Sequence, residues 1–428
     1  MIKKEFYSPI VKEKYYKYVL DCGLELYVFP KHGQSSNYAI FGTKFGSVYT
    51  DFTADGKNEY HVPQGIAHFL EHKMFESEEG DAFERFTKTG ANSNAYTSFD
   101  RTCYLFECSD NFYDSYDILL DFVQSPYFTD QTVLKEQGII GQEIRMYEDT
   151  GSWQVLMNAL RAMYYNNPVN IDIAGTVEEI AKITAKDLYD CYNTYYNLNN
   201  MFICICGNVN EDEVLEFTQK RLRKLKKIEA KRIPFEEPDN VKQKEISCNL
   251  EVSIPQFVIA YKEKLDGEFV DNKKRIMMAM ILDIISSQKS GLYSKMLNEG
   301  LINSGFCAEV FDGTGYLSCM FSGESKDPYR VRDMIFAEIE KVRLNGIDET
   351  DFETTRRAFY GDEICRYNSV TSVTDMLVNG AVCGYDCFEN LEIIKSVTSG
   401  DLNNLLKEIL DQKTAVISVV NPVKNSEE

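Results

Sequence analysis

His68, Glu71 and His72 stand three and four residues apart in the run Gly65-Ile66-Ala67-His68-Phe69-Leu70-Glu71-His72, and the chain has only four histidines in 428 residues. On a helix, positions i, i+3 and i+4 share one face, so the three side chains project together. Two imidazoles one turn apart can both reach a single Zn2+ at roughly 2.0–2.1 Å, and a carboxylate beside them can take a proton from metal-activated water. The order H-x-x-E-H inverts the H-E-x-x-H zinc helix. The alternative is two exposed histidines on an amphipathic helix. With histidine this scarce, such a coincidence arises on the order of once in a hundred chains.

A catalytic zinc usually takes three protein ligands and keeps a fourth position open. The segment Thr132-Val133-Leu134-Lys135-Glu136-Gln137-Gly138-Ile139-Ile140-Gly141-Gln142-Glu143 offers two carboxylates seven residues apart. Seven residues are two helical turns, so Glu136 and Glu143 share a face, with Ile139 and Ile140 expected to pack toward the core. Taken alone, this helix fits a solvated charged stripe equally well.

Other elements must bring these residues together. Alternating β-formers predict strands over 24–29 and 38–45, and the motif helix follows through Pro63, Gln64 and Gly65. A helix over 81–89 closed by Gly90, strands around 92–98 and 102–107, and helices over 111–125, 129–147 and 185–196 come next, then a buried strand over 201–206. Clustered basic residues and then Pro234, Glu236, Glu237, Pro238 and Asp239 mark a linker. Beyond it the order recurs: a strand over 256–262, helices over 275–285 and 291–298, strands around 306–311 and 316–321, helices over 328–345 and 349–367, and a strand over 415–420. The expected organisation is a zinc-site domain over 1–222, a linker over 223–245, and a second, similar domain over 246–428. The fold class is α+β, with two homologous domains, each a largely antiparallel sheet packed with helices.

The net charge of −21 leaves no basic patch strong enough for nucleic acid. The longest apolar run, 277–282, is stopped by Asp283 and is too short for a membrane span. Residues 1–7 carry no apolar stretch after the first lysines, so no signal peptide is expected. Twelve scattered cysteines without Cys-x-x-Cys pairs fit reduced thiols and a cytoplasmic protein. Cys204 and Cys206 are spaced as strand residues, while Cys383 and Cys387 could face one another on a helix.

His68-Phe69-Leu70-Glu71-His72, followed by Glu136 and Glu143, resembles the insulinase/pitrilysin family of inverted-motif zinc peptidases. The segments Gly90 to Thr97 and Arg101 to Tyr104 resemble that family's substrate-pairing strand and its neighbour. The wording of Gly65 to Phe75, Gly138 to Tyr147 and Ile171 to Thr176 is similar to a short-chain bacterial, YmfH-like subgroup. Ser290 to Lys295 carries a looser likeness in the second half. The resemblance implies His68, His72 and Glu143 as Zn2+ ligands, Glu71 as general base, and Glu136 as a supporting carboxylate of the catalytic site. It implies that Asn94 and Ala95 hold a peptide substrate by strand addition. It also implies two similar α+β domains forming half of a peptidase chamber, closed by a second chain as a homodimer or heterodimer.

One part of that pattern is broken. In active relatives the C-terminal half often supplies an arginine and, seven residues on, a tyrosine as oxyanion donors. Glu299 and Phe306 occupy those places here, with no arginine between Arg275 and Arg330 and Tyr316 the nearest tyrosine. The expected function is therefore a zinc metalloendopeptidase acting on peptides or small unfolded polypeptides, completed by a same-fold partner that brings the Arg/Tyr pair. A self-sufficient homodimer with another donor is the runner-up. A non-catalytic zinc-binding scaffold and a peptide-capturing subunit are the readings from another class, and the intact motif residues weigh against both.

Overall fold

A computed structural model of the chain describes residues 1–78, 80–224 and 226–423. Two compact units emerge. The first gathers Met1–Ile144, Asp172–Pro234 and Ile364–Glu389, and the second gathers Arg145–Ile171, Phe235–Glu363 and the chain from Asn390 onward.

The first unit is built on seven strands: β1 (Ile2–Ser8), β2 (Glu13–Val19), β3 (Glu25–Pro30), β4 (Asn37–Thr43), β5 (Asn92–Thr97), β6 (Thr102–Cys108) and β7 (Met201–Gly207). They lie in the order β1-β2-β3-β7-β4-β6-β5. Only the β3–β7 pairing is parallel. Strand β7 is buried at every position because both of its faces are covered, which is why it reads as one continuous apolar run. One face packs into a core with the helices Ile66–Met74, Phe112–Val123 and Ala185–Tyr195, through Phe69, Leu70, Leu119, Leu188 and Tyr192. The other face, along β7, β4 and β3, is covered by the helix Val370–Cys383.

The second unit carries β8 (Glu245–Leu250), β9 (Gln256–Lys262), β10 (Cys307–Gly313), β11 (Tyr316–Glu324) and β12 (Ala415–Pro422), in the order β8-β12-β9-β11-β10. Again a single pairing, β8 with β12, is parallel. Its core is lined by Met278, Met280 and Ile281 of the helix Asn272–Ser286, with Ile335 of Pro328–Asn345. The helix Gly151–Met163 lies on β12, β9 and β8. With β1 and β2 set aside, the two sheets share one strand order and one position for the parallel pair. The α+β duplication expected from sequence is therefore present.

The observed grouping departs from a division at 223–245. Gly151–Met163 packs on the second sheet and Val370–Cys383 on the first, so each unit takes one helix from the stretch of chain that builds the other. An amphipathic pattern tells that a helix has an apolar face, but not which sheet receives it. Within the expected linker, Ala230–Arg232 forms a short strand on Asp51–Ala54. Cys383 and Cys387 do not share a helix, because the helix ends at Cys383 and Gly384 turns out with φ 84°. All twelve cysteines are free thiols, with Cys204 and Cys206 buried on β7. No helix of the described residues is long and apolar enough to cross a membrane.

Candidate metal centre

The motif helix, Ile66–Met74, begins at Gly65, which adopts φ 84°. A side chain there would be doubly excluded, since a Cβ would meet the Ala174 carbonyl oxygen at 2.2 Å and the left-handed backbone disfavours it. The helix then buries Ile66, Ala67, Phe69, Leu70, Lys73 and Met74, leaving His68, Glu71 and His72 on the remaining face. Lys73 is fully buried and pairs with Glu76.

Opposite lies the helix Asp130–Glu148, held by buried Val133, Ile140, Gly141 and Ile144. Ile139 does not join them as the sequence pattern suggested. It is 46 % exposed, because one helical step of about 100° carries it off the buried stripe that Ile140 occupies. Glu136 and Glu143 do share a face. His68 Nε2 lies 3.7 Å from Glu143 Oε1, and His72 Nε2 lies 3.4 Å from Glu143 Oε2. Among the described residues, His68, His72 and Glu143 are the one group whose nitrogen and oxygen atoms fall within 4.8 Å of one another. Ligands about 2.0–2.1 Å from a tetrahedral zinc stand roughly 3.3–3.4 Å apart, so these separations suit the ion.

The surrounding charges ask for a cation as well. Burial opposes charge on His72, but the hydrogen bonds it donates to Glu136 and Glu143 outweigh it and raise its pKa to about 9. Burial and the neighbouring His72 lower that of His68 to about 4. Glu143 is held below the usual carboxylate range by its hydrogen bond with His72, and Glu136 is lowered too, the same histidine overcoming its burial. Two imidazoles and two carboxylates of lowered pKa thus converge, a set in which a dication can take the place of the extra proton on His72. His72 Nδ1 contacts Glu136 Oε1 at 3.0 Å, so Glu136 orients one ring. The buried Nδ1 of His68 has no such partner.

Glu71 sits beside this group. Burial raises its pKa, and hydrogen bonds from Thr97 offset part of that rise. The Thr97 Oγ1–H donates to Glu71 Oε2 at 2.7 Å. Thr97 was not singled out from sequence, although its place two residues after Ala95 on one strand puts both on the same face. Asn94 and Ala95 lie on β5, whose only strand neighbour among the described residues is β6, so one backbone edge is open. Asn94 Oδ1 accepts the Ala95 N–H at 2.9 Å. In the second unit, Glu299 receives Arg330 at 2.5 Å, and Phe306 is buried against Phe257 and Tyr293. Tyr316 is buried beside Phe311.

Two family models match the chain. Insulinase (Peptidase family M16) matches residues 56–177, and the Peptidase M16 inactive domain matches residues 182–359. The chain is 35% identical to the uncharacterized zinc protease YmfH of Bacillus subtilis, over 98% of this chain and 99% of that one. A crystal structure of an M16-like peptidase from Alicyclobacillus acidocaldarius superposes with a TM-score of 0.93 at 32% identity, covering 98% of this chain and all of that one. The periplasmic protease PqqL from Escherichia coli shares the fold, with a TM-score of 0.73 at 18% identity over 96% of this chain and 47% of its own length. The H-x-x-E-H spacing, the two family models and likeness over the full length of the Bacillus and Alicyclobacillus proteins agree: the chain belongs to the insulinase family, peptidase family M16.

Proposed function

We propose that the chain is a zinc-dependent endopeptidase acting on peptides or small unfolded polypeptides. The observation that carries this is the convergence of His68, His72 and Glu143 with Glu71 beside them. Zinc held by the three ligands would supply Lewis acidity toward a peptide carbonyl and toward water. Glu71, one residue from His72, takes a proton from the attacking water and passes it to the leaving amine. Glu136 fixes the His72 ring through Nδ1. The open edge of β5, at Asn94 and Ala95, receives the peptide as an added strand, which selects for extended chains more than for side chains.

Oxyanion stabilisation comes, in this reading, from a second chain of the same fold that closes the other half of the chamber. Its support is local: Glu299 is neutralised by Arg330, and Phe306 is a core residue with no hydrogen bond to donate. We read the protein as cytoplasmic, a reading supported by twelve scattered cysteines without Cys-x-x-Cys pairs. Purified protein should bind one equivalent of zinc by itself, and should cleave quenched peptides once the same-fold partner is present. Glu71→Gln should keep the zinc and lose cleavage by at least ~100-fold. Cleavage that survives Glu71→Gln, or a chain that takes up no zinc, overturns the proposal.

A further inference from the structure

Glu71 presents a problem that its sequence position creates. It shares a helix face with His68 and His72, and a carboxylate is itself a good zinc ligand at about 2.0–2.2 Å. A Glu71 that swung onto the metal would fill the position that water needs. Yet the close group of donor atoms contains His68, His72 and Glu143 and leaves Glu71 out.

The contact that holds it aside comes from β5. Thr97 donates its hydroxyl proton to Glu71 Oε2 at 2.7 Å. That hydroxyl is fixed from behind. Thr97 pairs across the strands with Thr102, and Thr102 with Thr43, so three threonines form one row over β5, β6 and β4. Thr102 Oγ1 donates to the Phe45 carbonyl at 2.9 Å and stands 3.4 Å from Thr97 Oγ1. Thr43 Oγ1 donates to the Tyr195 carbonyl at 2.6 Å. A hydroxyl has one proton to give: Thr102 and Thr43 commit theirs to backbone, and that of Thr97 goes to Glu71 at 2.7 Å in preference to Thr102 Oγ1 at 3.4 Å. A β-branched side chain is also stiff about χ1, which keeps the donor in place.

We propose that Thr97 is a positioning residue that holds the Glu71 carboxylate off the metal, keeping it a base and not a fourth ligand. This rests on the zinc-peptidase reading and adds to it a physical link between the peptide-receiving strand and the base. The test uses the full chain loaded with Co2+ or Zn2+, and compares Thr97→Val, which keeps the shape without the donor, with Thr97→Ser, which keeps the donor. In Thr97→Val the cobalt band should change position and shape as the Glu71 carboxylate takes the fourth position from water, and zinc affinity should hold or rise. The double variant Glu71→Gln, Thr97→Val should return the band toward that of Glu71→Gln alone. With the partner present, kcat for Thr97→Val should fall ~10–100-fold with KM unchanged, and Thr97→Ser should recover most of it. A wild-type cobalt spectrum in Thr97→Val overturns the proposal, as does zinc affinity falling with the band unchanged. The spectral arm needs no peptide cleavage, so a chain that binds metal but cuts nothing would refute the peptidase reading separately.

Discussion

The helix Ile66–Met74 and the helix Asn272–Ser286 occupy corresponding places, each following the strand that pairs with the sheet's parallel partner. One turns His68, Glu71 and His72 toward a cation site. The other buries Met278, Met280, Ile281 and Leu282, none of them more than 2% exposed. The edge strands differ in the same sense. Strand β5 offers Thr97 to Glu71, while in β10 the residue Glu309 meets mainly a desolvated environment that raises its pKa. One scaffold gathers titratable side chains in its first copy and apolar ones in its second, so the proposed activity rests on grafted side chains and not on the fold. A buried Met or Ile side chain stabilises by roughly 1.5–3 kcal/mol, which is what the second copy retains where the first carries His68, Glu71 and His72.

Changing one residue in each copy gives the sharpest contrast. Glu143→Ala should abolish stoichiometric zinc binding, read by metal analysis after dialysis, with little change in the unfolding midpoint of the metal-free chain. Met280→Ala should do the reverse, costing about 2–5 kcal/mol in denaturant unfolding while one zinc equivalent remains bound. If Met280→Ala loses zinc in the folded protein, the division of roles between the copies fails.

A smaller effect is expected at Glu136, which touches a ligand and not the metal. Glu136→Gln should weaken zinc binding by ~10–100-fold in competition with a chelator, because the His72 ring loses its ionised partner. An unchanged affinity would make Glu136 a charged bystander.

The smallest effect belongs to the second copy alone. Burial pushes Glu263 up to about 8, with the Leu410 N–H at 2.8 Å offsetting part of it. The folded chain therefore keeps Glu263 protonated where the unfolded chain, near 4.5, has ionised it. Its contribution is present below pH ~4.5 and is lost as pH rises through about 8, since the unfolded state binds fewer protons across that window. Between pH 5 and 8.5 the wild-type Tm should fall at least ~2 °C further than that of Glu263→Gln. Equal falls would remove Glu263 from the account.

Much of this was legible because the signals are local. The spacing of His68, Glu71 and His72 specifies a helix face, and the seven-residue interval of Glu136 and Glu143 specifies another. The helices Gly291–Asn298 and Pro328–Asn345 and the strand Gln256–Lys262 follow their apolar patterns to the residue. What stayed hidden is non-local. Thr97 becomes informative only once β5 lies beside the motif helix. The hairpin β1–β2 alternates lysines with tyrosines whose stems are covered by cation–π contacts, such as Lys3 over Tyr16 at 4.7 Å, so its pattern reads as mixed polarity. Gly151–Met163 and Val370–Cys383 carry apolar faces whose receiving sheets no local window can name.

That exchange of helices sets a schedule for synthesis. The first sheet and the group His68, His72 and Glu143 are complete in the chain by Pro234, yet the helix that covers the β7, β4 and β3 face emerges only with residues 370–383. At ~5–20 residues per second, a ribosome needs roughly 8–30 s to bridge that interval. During it Tyr27, Phe29, Ile40 and Phe202, all buried in the finished protein, await their cover. Nascent-chain folding of the first sheet is thereby tied to translation of the second copy, and its second face closes only when residues 370–383 have been made.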